Sequence, residues 1–277
     1  MVVWQSRLSF SSPDLERRYQ AAQNVKFASR ELGVAFFSNI IEKRYPQFSA
    51  QYRTWWVTAI RLALVFLPIV PVRAQRGHTT AHLLGMVAVA AHVPRMWVSA
   101  CELRLAFRTH LALNALQSVH VVFSGAYCFC SSSYAQTPAA LGGFVALSHQ
   151  CSLWSGLLAP LQLPPGSPQS PGLSTGHDCV ALMVAVHLIF GLYLSSVAVY
   201  VSERLDRADF LLRQAADLGL APSQASEQLG LPREEVAEVC LFDPTSEWLR
   251  WGMLLPPLAA ATWLGLAALV PLEAGDP

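Results

Sequence analysis

The stretch Cys179–Val201 (CVALMVAVHLIFGLYLSSVAVYV) constrains this chain most. It runs for 23 residues without an Asp, Glu, Lys or Arg. As a helix it would be about 35 Å long at ~1.5 Å per residue, more than the ~30 Å hydrocarbon core of a bilayer. A soluble core helix is rarely apolar on every face over such a length. The stretch reads as a membrane span.

Other apolar stretches organise around it. Of the 277 residues 53% are hydrophobic and 13% are charged, against about 25% charged in soluble domains. The expected fold class is all-α: a polytopic membrane helical bundle. Its six hydrophobic segments lie near 55–72, 79–101, 109–130, 138–163, 179–201 and 251–272. Five or six of them span. The chain divides into a polar region at 1–53, a bundle at 54–201, an acidic helical cap at 202–247, and a last span with a short tail at 248–277.

In the polar region Ser12-Pro13-Asp14 is a good helix start: a hydroxyl cap, Pro at the first helical position and an acid in the first turn. Leu15, Tyr19, Ala22, Val25, Leu32, Phe36 and Ile40 keep helical spacing as far as Tyr45-Pro46. This predicts one long amphipathic helix, with Gly33 as a point of breakage. Its Arg17, Arg18, Lys26 and Arg30 suit a membrane surface, and packing on the protein's own cytosolic face is the alternative. Met1–Phe10 lacks the apolar core of a cleavable signal peptide, so an integral membrane protein inserted by its first span is expected.

Within the bundle, Trp55-Trp56 suits an interfacial belt. Arg61 lies fewer than two turns inside the first span, where it can snorkel or serve as an intramembrane charge. Pro94 interrupts the second span; it should free the Ala90 carbonyl and kink the helix. Arg95 and Trp97 follow it. The fourth segment is the most polar, and a Pro-, Gly- and Ser-rich connector, Pro164–Gly176, leads from it to the fifth.

Residues 202–247 hold ten acids and four Arg, a net charge of −6. Leu205, Ala208, Leu211, Leu212, Ala215 and Leu218 mark an amphipathic helix, and Gly219 is placed to end it. Short helices are expected at Pro222–Leu229 and Pro232–Cys240, and Asp243-Pro244 starts another that runs into the last span. The piece ASEQLGLPREEVAEV has the spacing of a helix-turn-helix. DNA binding is excluded, because Glu234, Glu235 and Glu238 on its second helix would repel phosphates. With a net charge of +1, no bulk field points to nucleic acid either.

Charge also bears on sidedness. Lys and Arg number eight in 1–53, two after the first span (Arg73, Arg76), two after the second (Arg104, Arg108), none in 131–178 and five in 202–250. With a cytosolic N-terminus and six spans, ten lie inside and seven outside. If 138–163 instead enters and leaves on one side, the tally becomes fifteen and two. The positive-inside rule prefers the second arrangement; the ample length of 138–163 argues for the first.

Lys occurs only at Lys26 and Lys43, so no apolar segment can hold a Schiff-base chromophore. Cys128 and Cys130 form C-x-C, which with Cys101 and Cys240 completes no zinc-site spacing. Disulfides among Cys128, Cys130, Cys151 and Cys179 are left open by the sequence.

Six of the eight His lie in apolar segments: His82, His92, His110, His120, His149 and His187. Intramembrane ionisable residues normally face the bundle interior or a watery cavity. His92, His120, His149 and His187 each sit near the middle of a different segment. His110, Asn114, Gln117, Ser124 and Cys128 fall within about 80° of one another at ~100° per residue. Such a stripe can line a solute or proton path, and it can equally glue helices together.

These features leave several functions open. The first is a transporter or channel-like protein using His92, His110, Asn114, Gln117, His120, Ser124, His149 and His187 with Arg61 or Arg95. The second is a non-catalytic adaptor that anchors in the lipid bilayer and binds a protein partner through its N-terminal helix and 202–247. The third is an electron carrier with haem held by facing His residues. An intramembrane enzyme has no Ser/His/Asp set, paired aspartates, HExxH or phosphate loop to support it.

Overall fold

The structure, a computed structural model, describes residues 10–28, 55, 57–63, 80–101, 105–158, 175–219, 229 and 231–269. Helix accounts for 88% of them and none is in a strand, so the chain is all-α over this range. The helix expected beyond Ala28, most of the one at Pro222–Leu229, most of the connector and the last part of the first span lie outside the described residues. The chain forms two compact units. The first comprises Met1–Ala63, Val98–Leu111 and Ser196–Trp248; the second comprises Leu64–Trp97, Ala112–Ser195 and Leu249–Pro277.

In the first unit α1 (Pro13–Ala28) begins as its sequence dictates. The Ser12 carbonyl accepts the Glu16 N–H at 3.0 Å, and Asp14 and Glu16 occupy the first turn. Its inner face carries Leu15 and Tyr19. With Phe10 they pack on Leu211, Leu231, Val236 and Val239.

Leu211 belongs to the helix that contains the fifth apolar segment. That helix runs unbroken from Asp178 to Asp217. The amphipathic helix expected at 205–218 is therefore its continuation, because Ser202–Arg204 offer neither Gly nor Pro to stop it. Gly219 ends it at φ 67°, where its missing Cβ removes the steric cost of a left-handed residue. A short helix follows at Arg233–Cys240. Asp243 caps the next one, accepting the N–H groups of Thr245 and Ser246 at 3.0 Å each. That capping holds the Asp243 carboxyl below its usual range. As expected, this helix continues without interruption from Pro244 to Leu269.

The second unit holds α2 (Thr80–Ala90) and the start of α3 (Val93–Cys101), bent by 63° at the break between them. It holds most of α4 (Phe107–His120), which passes through a π-helical stretch, π1 (Val121–Gly125), into α5 (Ala126–Cys130). Then come α6 (Pro138–Leu158), α7 (Thr175–Val186), a second π-helical stretch, π2 (His187–Tyr193), and the start of α8 (Leu194–Asp217). Leu83, Val87, Ala91, Ala126, Phe144, Leu182 and Met183 form its core. A disulfide joins Cys130 to Cys179 across 49 residues.

Among the described residues one helix, Asp178–Asp217, is long and apolar enough to cross a membrane, with a mean hydropathy of 2.1 over its most apolar window. The bent pair His82–Ala90 and Val93–Cys101 passes the same test if it is one span. Pro94 does not kink a continuous helix, as the sequence suggested. The helix is broken before it, at Ala91–His92, and His92 takes φ 59°. Pro94 then occupies the second position of α3, where its missing N–H would have had no partner in any case.

Candidate functional site

In the second unit three segments depart from α geometry near one another. They are the break at Ala91–His92, π1 and π2. At the break the carbonyl of Ala91 faces His187, the first residue of π2, with Nδ1 at 2.6 Å. A carbonyl oxygen only accepts, so Nδ1 carries the hydrogen. His187 Nε2 lies 2.9 Å from Ser118 Oγ, and Ser118 Oγ is also 2.8 Å from the Asn114 carbonyl. The Asn114 amide donates to Ser195 Oγ at 3.2 Å, and Ser195 donates back to the Gly191 carbonyl. His187, Asn114 and Ser195 are all fully buried.

A second set of contacts converges on His92. Its Nδ1 lies 3.4 Å from Gln117 Nε2 and 3.4 Å from Arg95 Nη1. Both partners donate there, so this nitrogen keeps its lone pair and the ring is neutral with its hydrogen on Nε2. The His120 ring stands edge-on to it, with centroids 6.3 Å apart. Buried side chains press on the Gly191 backbone here. A Cβ on Gly191 would sit 2.8 Å from Met96 Sδ and 3.3 Å from His187 Nδ1.

The residues singled out in the sequence fall in different places. His92, Asn114, Gln117 and His187 are buried and share this cluster; His120 and Arg95 are half-buried beside it. His110 is fully buried in the first unit, where Arg61, itself 3% exposed, donates to its Nδ1 at 3.0 Å. Ser124 and His149 are exposed, so both depart from the expected interior set. For Ser124 the cause is π1. Burial runs through Leu113, Asn114, Gln117, Ser118 and Val121, then jumps five residues to Ala126. The extra residue of the π turn rotates the later part of the helix by about 100° and carries Ser124 and Cys128 outward. For His149 the cause is one residue of phase. Ser148 turns inward to Asp178, Oγ to Oδ1 at 2.7 Å, and its neighbour turns out.

Sequence reasoning missed Ser118, Ser195 and the Ala91 carbonyl. Ser118 and Ser195 each bond a carbonyl one turn back, as Ser in a helix commonly does, so nothing in the sequence marks them. Both ring nitrogens of His187 are engaged, so neither offers a lone pair to a metal in this arrangement. Among the described residues no three His, Cys, Asp or Glu side chains converge to hold a metal ion.

The first unit carries a charged network of its own. Arg207 pairs with Glu16 at 2.7 Å and with Glu203 at 3.0 Å, and stacks on Phe10 and Tyr19. Glu203 also accepts the Phe107 N–H at 2.6 Å, capping α4. Burial alone would raise the Glu16 carboxyl; Arg207, the Phe10 N–H and Gln20 outweigh it and hold the group below its usual range. Lys26 pairs with Asp206, and Ser11 with Glu235. Comparison with protein-family models, with curated proteins and with solved structures finds no match for this chain.

Proposed function

We propose that the chain is an integral multi-pass membrane protein whose buried His/Gln/Asn/Ser cluster forms a path for protons or a small polar solute. The third apolar segment is the observation that carries this reading. Its polar residues Asn114, Gln117 and Ser118 are buried, while Val119, Phe123 and Tyr127, one turn apart in succession, are each more than half exposed. A helix in water shows the reverse pattern. Lipid around this face removes the conflict, since apolar patches of this kind mark a membrane or a partner.

Five spans with 138–163 entering and leaving on one side fit best. Two independent groups of contacts favour this arrangement. The pairs Glu16–Arg207, Lys26–Asp206 and Ser11–Glu235 join 1–53 to 202–247. Both then lie on one side of the bilayer, which calls for an even number of crossings between them. The Cys130–Cys179 disulfide joins the end of the third segment to the start of the fifth. This calls for an even number between those points, and the segment that fails to cross is then the fourth. The bond also suits an oxidising compartment, opposite a cytosolic N-terminus. The resulting charge tally is the fifteen-to-two one, which the positive-inside rule prefers.

A path is favoured over helix glue because three polar-bearing segments abandon α geometry where they meet. π-bulges and broken helices mark functional sites, and broken helices line the binding sites of transporters. The adaptor reading is weakened because the apolar face of Phe10, Leu15 and Tyr19 is already covered by Leu211, Leu231, Val236 and Val239. Purified protein in liposomes, with an internal pH dye and a potassium-set voltage, tests the path. The expected result is a proton flux that Gln117→Leu abolishes while the folded bundle survives. No flux above empty liposomes would refute the proton form of the reading. Flux unchanged by Gln117→Leu would return the stripe to the role of glue.

A further inference from the structure

The hydrogen count at Ser118 leads beyond that reading. The hydroxyl has one hydrogen and two neighbours that can take it: His187 Nε2 at 2.9 Å and the Asn114 carbonyl at 2.8 Å. His187 Nδ1 is committed to donating to Ala91. The state of Nε2 therefore decides which way the Ser118 hydroxyl points. We infer that His187 is a buried proton-binding site and that Ser118 is its positioning residue, turning its hydrogen between His187 Nε2 and the Asn114 backbone carbonyl. The inference rests on the path proposed above and names its cargo as the proton.

The step balances without a co-reactant. In the neutral state Nδ1–H donates to the Ala91 carbonyl and Nε2 accepts from Ser118. A proton arriving on Nε2 makes the imidazolium. Its Nε2–H then donates to Ser118 Oγ, and the Ser118 hydrogen turns to the Asn114 carbonyl. Loss of the proton reverses each move. Both states leave every polar group of the set with a partner, which a dry interior demands. The carbonyl that receives the hydrogen is the Asn114 backbone oxygen, and the Asn114 side-chain amide stays bonded to Ser195 in both states.

The surroundings set what the imidazolium meets. From the break, His92 and Arg95 face this volume, and from α4, His120; His92 interacts electrostatically with all of them and with His187. These are cations or potential cations and oppose a second charge. The favourable pole comes from α2, whose last carbonyls end at the break. A helix C-terminus stabilises a nearby cation, and the direct bond from His187 to Ala91 uses it. On His187's own helix the acid nearest before it is Asp178, already bonded to Ser148, and the one after it is Glu203, which binds Arg207.

The test is nitrogen NMR of histidine-labelled full-length protein in phosphatidylcholine nanodiscs, with His187 assigned by loss of its signals in His187→Gln. The wild type is expected to show neutral His187 as the Nδ1–H form at high pH, converting to imidazolium as pH falls. Ser118→Ala removes the acceptor of the imidazolium's Nε2–H together with the weaker bond to neutral Nε2, so the midpoint should drop by about one pH unit, the difference between a charged and a neutral hydrogen bond. Ser118→Thr, which keeps the hydroxyl, should restore it. A neutral Nε2–H form, measurable in the wild type alone, overturns the inference; so does a midpoint that Ser118→Ala leaves in place. Proton flux in liposomes separates this from the earlier reading. Coupled titration without flux leaves the proton site standing and removes the path. Flux that is equal in wild type and Ser118→Ala, with an unmoved midpoint, keeps the path and removes the Ser118 coupling.

Discussion

Arg207→Met isolates what holds α1 to the rest of the first unit. The Arg207 side chain is 5% exposed and its partners Glu16 and Glu203 are 16% and 9% exposed. Methionine keeps much of the length and the contact with Phe10 and Tyr19 but removes the cation. Glu203, buried, and Glu16, half-buried, are then left without a counter-charge, and breaking a buried pair in this way costs about 3–5 kcal/mol. Against it stand three buried apolar side chains, Phe10, Leu15 and Tyr19, each contributing roughly 1.5–3 kcal/mol to docking. The substitution should remove about half of that docking free energy. Hydrogen exchange reads it directly: α1 amides should exchange roughly a hundredfold faster or more, since ~1.4 kcal/mol is a factor of ten. Adding Glu16→Gln should return part of the loss, because one stranded charge disappears. Exchange in α1 at the wild-type rate in Arg207→Met would refute the reasoning. It would mean that the apolar contacts alone set the docking.

Acid should loosen the same contact. The Glu16 carboxyl is depressed in the folded state, so its contribution is present above the ordinary carboxylate range and is lost as pH falls through its folded value. Protection of α1 should decline as pH falls below the ordinary carboxylate range, and less so in Glu16→Gln. Gly191→Ala should destabilise the bundle by about 1–3 kcal/mol, because its Cβ meets fully buried Met96 and His187; a thermal melt in detergent that matches the wild type would contradict this. Single cysteines in a cysteine-depleted background report sidedness. Arg17→Cys and Glu234→Cys should react from one side of sealed vesicles and Ser132→Cys from the other, and labelling of Arg17→Cys and Glu234→Cys from opposite faces would remove the five-span arrangement. Cys130→Ser should cost about 4 kcal/mol by the loop-entropy estimate for 49 residues, seen as a lower melting temperature.

Much of the first unit was legible because its signals are local. Ser12-Pro13-Asp14, Gly219 and Asp243-Pro244 start or stop helices through contacts within a turn or so of themselves, and the structure uses each one. The polar stripe was legible as far as Gln117 for the same reason: it depends only on helical spacing. Beyond that point π1 adds a residue, and VVFSG carries no Pro to announce it. Pro94 announced a kink, whereas the helix is broken before it at Ala91–His92. The left-handed turn at His92 is tied to a bond between Ala91 and His187, 96 residues apart in the chain, and single-sequence spacing is blind to such a partner. The disulfide was hidden likewise: four cysteines near one another in the apolar region allow several pairings, and only packing selects Cys130 with Cys179.

The break, π1 and π2 bear on why the cluster exists. A left-handed His92 costs on the order of 1–2 kcal/mol, and each π turn gives up regular α hydrogen bonding. Helices meant only to adhere in lipid gain from regular surfaces and small residues, with interhelical hydrogen bonds worth roughly 0.5–2 kcal/mol each. Adhesion is already served by the bond from Asn114 on one helix to Ser195 on another. What the departures add is different. The break presents the Ala91 carbonyl sideways to an imidazole, and π2 begins at the residue that receives it. That arrangement leaves His187 Nε2 to a hydroxyl with two ways to turn. Regular helices would deny His187 the carbonyl and leave the imidazole with one partner. The cost of the irregular backbone fits the switchable hydrogen bond proposed for His187 and Ser118.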